Sequence, residues 1–220
     1  MMDYLKTDEE QGEALKRWLV QNGLGLLIAV AVGVGSVLGY QQWQQYQINQ
    51  QSDAAGRYQE LIDLSAIDFS DQDTASDYER LLMVADNLRR SHAGTNYAAL
   101  GAGIVAAQAA ERGDFDLAVS QLTYAEAELE LSELKTIASL RLARLELELG
   151  QGDAALRRVR SISAEFFKGS RSELEGDILV ALNKPLEARK AYLRAQMSLS
   201  EAGLNTAVVD LKLSALPEGS

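Results

Sequence analysis

The side chains able to do chemistry are few and do not converge. His92 is the only histidine and stands in Arg89-Arg90-Ser91-His92-Ala93-Gly94, at the end of an apolar-periodic stretch. One imidazole could act as a general base or fill one corner of a metal site. With no cysteine in the chain, no recognisable ligand spacing completes such a site. The simpler reading is a helix C-terminal residue that complements the helix dipole, whose loss is expected to leave function intact. Carboxylates are plentiful, but Glu126, Glu128, Glu130 and Glu133 fall where a helix presents a polar face, and solvated charge is the default for such a run. The glycines lie at turns or in one apolar run, without the spacing of a phosphate-cradling loop, a nucleophile elbow or a dinucleotide fingerprint. The sequence therefore predicts no catalytic, metal-binding or cofactor-binding residue, and no enzyme.

What remains is the framework. Alanine, leucine, glutamate and glutamine dominate, and the only prolines are Pro185 and Pro217, so the expected fold class is all-α. The formal charge is -11, from 21 basic and 32 acidic residues, and most of the excess follows the first 40 residues. A surface of that sign repels polyanions and excludes nucleic acid as the natural ligand. It is expected to steer basic partners toward an acidic face.

Near the N-terminus, residues 23–40 (GLGLLIAVAVGVGSVLGY) carry no charge, close to the roughly 20 apolar residues that span a bilayer. Trp18 flanks the run on one side, and Tyr40, Trp43 and Tyr46 on the other, where aromatic rings favour the membrane interface. No small-residue cleavage site follows, which favours an uncleaved signal anchor over a removed signal peptide. Lys6, Lys16 and Arg17 precede the run and the next basic residue is Arg57, so the positive-inside rule places the N-terminus in the cytoplasm and exports the rest. Gly25, Ala29 and Gly33 recur every fourth residue, and Gly35 and Gly39 form a GxxxG pair. This spacing admits a second helix closely, and it equally reflects the general abundance of glycine in membrane helices.

Beyond the anchor, residues 41–70 read as a stalk helix and loop, and residues 71–220 as a helical domain. Three places show a helix, a tight turn and a second helix, around Gly113, Gly150 and Asn183. Ala118, Ala155 and Ala188 open the second helices at separations of 37 and 33 residues, near the roughly 34-residue tetratricopeptide period. Each has a small residue twelve positions earlier, namely Ala106, Ala143 and Gly176. That shared offset favours stacked hairpins over an ordinary bundle. Gly113 suits a left-handed helix end, Asp114 or Asp116 a helix cap, and Pro185 a first helical turn. Glu133 to Leu149 is expected to be the first helix of the second unit, with Leu134, Ile137, Leu140, Ala143 and Leu147 as its stripe. Tyr78, Leu81, Leu82, Ala85 and Leu88 suggest a degenerate unit upstream.

The order of these parts is similar to that of a known family. Lys16-Arg17-Trp18, Asn22-Gly23, the anchor ending Gly39-Tyr40-Gln41-Gln42-Trp43, and the degenerate units including Leu140-Arg141-Leu142-Ala143-Arg144 together resemble the YfgM family of ancillary subunits of the bacterial SecYEG translocon. The resemblance implies an all-α protein of the inner membrane: a cytoplasmic N-terminus over 1–22, one transmembrane helix over 23–40, and a periplasmic tetratricopeptide-like array. It implies association with SecYEG and the periplasmic folding factor PpiD, contact with secretory clients, and no cofactor. A membrane-anchored scaffold in another envelope process is the alternative.

Overall fold

A computed structural model of the chain describes residues 8–69, 74–163 and 165–217. Lys6, residues 70–73 of the loop expected between Asp68 and Asp77, and the last three residues lie outside them. Among the described residues the regular elements are all helical: α1 (Asp8–Ser65), α2 (Ala75–Ser91), α3 (Asn96–Glu111), α4 (Phe115–Glu128), α5 (Ser132–Glu148), α6 (Gly152–Ser161), α7 (Lys168–Ala181), α8 (Pro185–Glu201) and α9 (Ala207–Ser214). A 3₁₀ turn, Glu165–Phe167, leads into α7. The architecture is all-α, with one long apolar N-terminal helix and an array of helical hairpins.

The chain divides into two compact units, one ending at Gln50 and the other starting at Gln51. In the first, proline-free sequence sustains α1, and an 18-residue window reaches a mean hydropathy of 2.0, long and apolar enough to cross a membrane. Leu24, Leu27, Ile28, Val30 and Val37 are each more than half exposed. No hydrophobic core covers them, so an apolar surrounding is what would stabilise this stretch. Its one serine, Ser36, donates to the Val32 carbonyl at 2.7 Å, which satisfies the group without water.

The second unit starts inside the segment expected to be a stalk. Ala54 and Leu61 are fully buried and Leu64 nearly so, packed with Leu81 and Leu88 of α2 and with Ala98 and Val105 of α3. The final turns of α1 thus form the upstream hairpin with α2, and Leu81 and Leu88 carry its buried face. The pairs α3/α4, α5/α6 and α7/α8 follow, consecutive helices pack along the series, and α9 closes on α8.

The turns repeat one piece of backbone chemistry. Gly113, Gly150 and Asn183 have φ of 77°, 72° and 57°. In each case the residue after the turn donates back across it: Asp114 N–H to Ala109, Gln151 to Glu146 and Lys184 to Leu179, all at 2.8 Å. This double closure satisfies carbonyls that the helix end leaves open. Asp114, not Asp116, caps α4 by accepting the Leu117 N–H at 3.1 Å, and Pro185 opens α8. Helix α5 differs from its expected single stripe: Leu140 and Ala143 are buried, but so are Leu142 and Leu145. It packs against α4, α6 and α7, so one face cannot hold all its apolar residues.

Candidate interaction surface

The repeat is written in small side chains. Ala99, Ala102 and Ala106 on α3, Thr136, Ser139 and Ala143 on α5, and Gly169, Ser172 and Gly176 on α7 occupy matching places, and all are buried. Four positions beyond Ala118, Ala155 and Ala188 stand Leu122, Val159 and Tyr192, each buried against its hairpin. Volumes across the hairpin compensate: where the second helix brings the Tyr192 ring, the first helix has Gly176, whose added Cβ would collide with the ring carbons. The shared twelve-residue offset was visible in the sequence; the wider stripe was missed, because threonine and serine stand in for alanine at Thr136, Ser139 and Ser172. An i, i+3, i+7 spacing of small residues on each first helix was the available signal.

Where α5 meets α7 the first helices pack, but a cavity of about 310 Å³ opens between α3 and α5. Its floor includes Ala99, Gly103 and Ala107, one helical turn apart, with Leu122, Ala125 and Leu129 of α4 beneath. Tyr58, Ile104, Leu134 and Ile137 also line it. A second apolar cavity of about 230 Å³ shares Ala107, Leu122 and Arg141 with it and runs on past Ala110, Arg144 and Leu145 to Glu148. Together they form one trough. Concave, mainly apolar surfaces with a few placed polar groups are the usual sites of recognition.

The charge on this trough is the reverse of the acidic face expected from composition. Arg141 and Arg144 stand exposed along it on α5, and neither has an ion-pair or hydrogen-bond partner among the described residues. Two carboxylates on the neighbouring faces are engaged elsewhere, while Glu148, one turn beyond Arg144, lines the end of the trough. Glu126, expected in solvent, is partly buried: Arg158 contacts it at 3.2 Å and Ser139 donates to it, while Arg158 also reaches Glu146 at 2.9 Å. Burial opposes the charge on Arg158, but the hydrogen bonds and charges of Glu146 and Glu126 hold its pKa above the ordinary value. In the last hairpin, Tyr192 donates to Asp177 at 2.7 Å, and Lys212 of α9 bridges Glu173 and Asp177 at 2.7 and 2.8 Å. Burial and then Asp177 push the Tyr192 hydroxyl well up. Lys212 is raised by Asp177 and Glu173 in spite of its burial. These networks tie helices together.

His92 is more than a dipole partner at a helix end. It is 5% exposed and its Nε2 lies 2.9 Å from Asp53 Oδ2, joining the end of α2 to α1. Arg57 and then His92 hold the Asp53 carboxyl below the usual carboxylate range. Among the described residues, no group of three or more His, Cys, Asp or Glu could hold a metal ion. Gly25, Gly33, Gly35 and Gly39 of the apolar helix have nothing within 4 Å of an added Cβ, and Ala29 is likewise exposed. Ala106, Ala118, Ala143, Ala155, Gly176 and Ala188 are all in the cores of the hairpins.

A family model described as a tetratricopeptide repeat-like domain matches residues 16–218. Among characterised relatives, a protein of Haemophilus influenzae named ancillary SecYEG translocon subunit is 29% identical over 215 residues, covering 98% of this chain and 100% of the relative. Proteins of the same name from Escherichia coli and Aggregatibacter actinomycetemcomitans are 28% and 29% identical. These alignments cover 87% and 89% of this chain and 88% and 91% of the relatives. No solved structure matches the chain. With hairpins in register, a model spanning both the apolar helix and the array, and relatives aligned nearly end to end, the chain belongs to the tetratricopeptide repeat-like family, and its resemblance to the ancillary SecYEG translocon subunits is borne out.

Proposed function

We propose that this chain is a non-enzymatic ancillary subunit of the SecYEG translocon. It is held in the inner membrane by residues 23–40, with residues 1–22 in the cytoplasm and the hairpin array in the periplasm. The observation that carries this reading is the alignment of three relatives of that name over nearly the whole chain, anchor and array alike. A hairpin array supports it physically, because stacked helix pairs offer extended surfaces for protein recognition and need no chemistry of their own. Lys16 and Arg17 before the apolar run, and none after it until Arg57, support the orientation. The array would bind PpiD and hand over emerging secretory clients, while Gly25, Ala29, Gly33, Gly35 and Gly39 offer a lateral contact within the bilayer.

The test is copurification. The tagged full-length chain, extracted from inner membranes in mild detergent, is expected to bring down SecY, SecE and SecG in near-constant ratio, and PpiD with them. Absence of SecYEG under conditions that keep SecY, SecE and SecG together contradicts the reading. Retention of SecYEG without PpiD removes only the link to the folding factor. An envelope scaffold unrelated to export would give a partner set dominated by other envelope proteins.

A further inference from the structure

We propose that the trough between α3 and α5 is a docking groove for an acidic amphipathic segment of a partner protein, its apolar side chains against Gly103 and Ala107 and its carboxylates on Arg141 and Arg144. This deepens the reading of the array as a protein-binding domain and rests on it. Three observations lead to this occupant. The floor is made of small residues one turn apart, Ala99, Gly103 and Ala107, which let a partner segment approach the α3 backbone closely. The Arg141 guanidinium lies over this floor, 3.7 Å from where a Cβ on Gly103 would stand, and so meets whatever enters the trough.

The charge then selects the ligand. In a chain of net charge -11, Arg141 and Arg144 stand three residues apart on α5 with no ion-pair partner among the described residues. Arginine binds carboxylates through paired N–H donors. Two carboxylates spaced three or four residues apart on a helical ligand lie one above the other and meet Arg141 and Arg144 in turn. Glu148 bounds the far end of the trough and opposes a third carboxylate there. A basic segment would instead meet two like charges beside an apolar floor, which disfavours it.

The experiment measures binding of three labelled synthetic peptides to the purified full-length protein in detergent micelles. The peptides share one leucine- and alanine-rich helical face and differ only in carrying Glu, Gln or Lys at the flanking positions. The Glu peptide is expected to bind about tenfold more tightly than the Gln peptide, equivalent to about 1.4 kcal/mol, and the Lys peptide most weakly. Arg141→Gln with Arg144→Gln should erase the order among the three. Ala107→Leu, which adds bulk to the exposed part of the trough and changes no charge, should weaken all three together. Far-ultraviolet circular dichroism and thermal midpoints confirm that each variant folds. Equal binding of the Glu and Lys peptides, no binding of any peptide, or an unchanged order in the double arginine variant overturns the proposal. Copurification with SecYEG is scored separately on the same preparations: loss of peptide discrimination with SecYEG retained overturns the groove alone, and loss of SecYEG in the unaltered protein overturns the wider function.

Discussion

Gly176 shows how one missing carbon is decided by its neighbour across the hairpin. The Tyr192 ring lies where a Cβ would stand, so Gly176→Ala overpacks the last hairpin and is expected to cost about 1–3 kcal/mol in urea unfolding of the full-length protein. Pairing it with Tyr192→Leu recreates the Ala106/Leu122 arrangement of the first unit. The double variant should therefore be more stable than the sum of the single losses, by about 1 kcal/mol; simple additivity would contradict the compensation. Asp53 carries a second prediction. Its carboxyl is held below the usual range by Arg57 and His92, so the contribution is fully present above the unfolded value of about 3.9 and disappears as the pH falls through the lowered folded value. Asp53→Asn should be less stable than the unaltered protein at neutral pH, and the gap should close in acid. A gap independent of pH would mean that the ionised carboxylate, held by Arg57 and His92, adds nothing to stability. The sequence could not announce this pair, because Asp53 and His92 are 39 positions apart and only the packing of α2 on α1 joins them.

At the scale of elements, the left-handed turns inside the three hairpins α3/α4, α5/α6 and α7/α8 are the punctuation of the array, and they differ in strain. Gly150→Ala places a Cβ at φ of 72° and should lose about 1 kcal/mol, whereas Asn183→Gly relieves a φ of 57° and should gain a few tenths. The shift in urea midpoint at constant slope measures both, and opposite signs would contradict the assignment. These turns, and the hairpins they close, were legible in the sequence because glycine and proline report backbone conformation directly. Burial on α5 was less so. A period of 3.6 reveals one apolar face, and α5 is buried by three neighbours, so Leu142 and Leu145 fell outside the expected stripe. The boundary of the array was obscured for a related reason: residues 41–65 hold no proline and form one unbroken helix, and only side-chain contacts separate the exposed turns from those that bury Ala54 and Leu61.

For the molecule as a whole, composition shows the class of protein but not where its charges lie. A net charge of -11 suggested an acidic face for basic partners, and several carboxylates of α4 to α7 are instead drawn into networks between helices: Glu126 and Glu146 hold Arg158, Glu175 holds Arg160 and Arg194 at 2.8 and 2.7 Å, and Glu173 and Asp177 hold Lys212. Net charge sums over groups without regard to which are neutralised in place. The trough between α3 and α5 is left with Arg141 and Arg144, which only the paired geometry reveals. The anchor was plain from the start, since an uncharged apolar run flanked by aromatic rings has few other uses. On this account, everything the array does depends on which side of the inner membrane it occupies. Protease accessibility in intact spheroplasts tests that most directly. The account predicts that externally added protease degrades the hairpin array while an N-terminal tag survives until the membrane is opened. An array protected until lysis would contradict it.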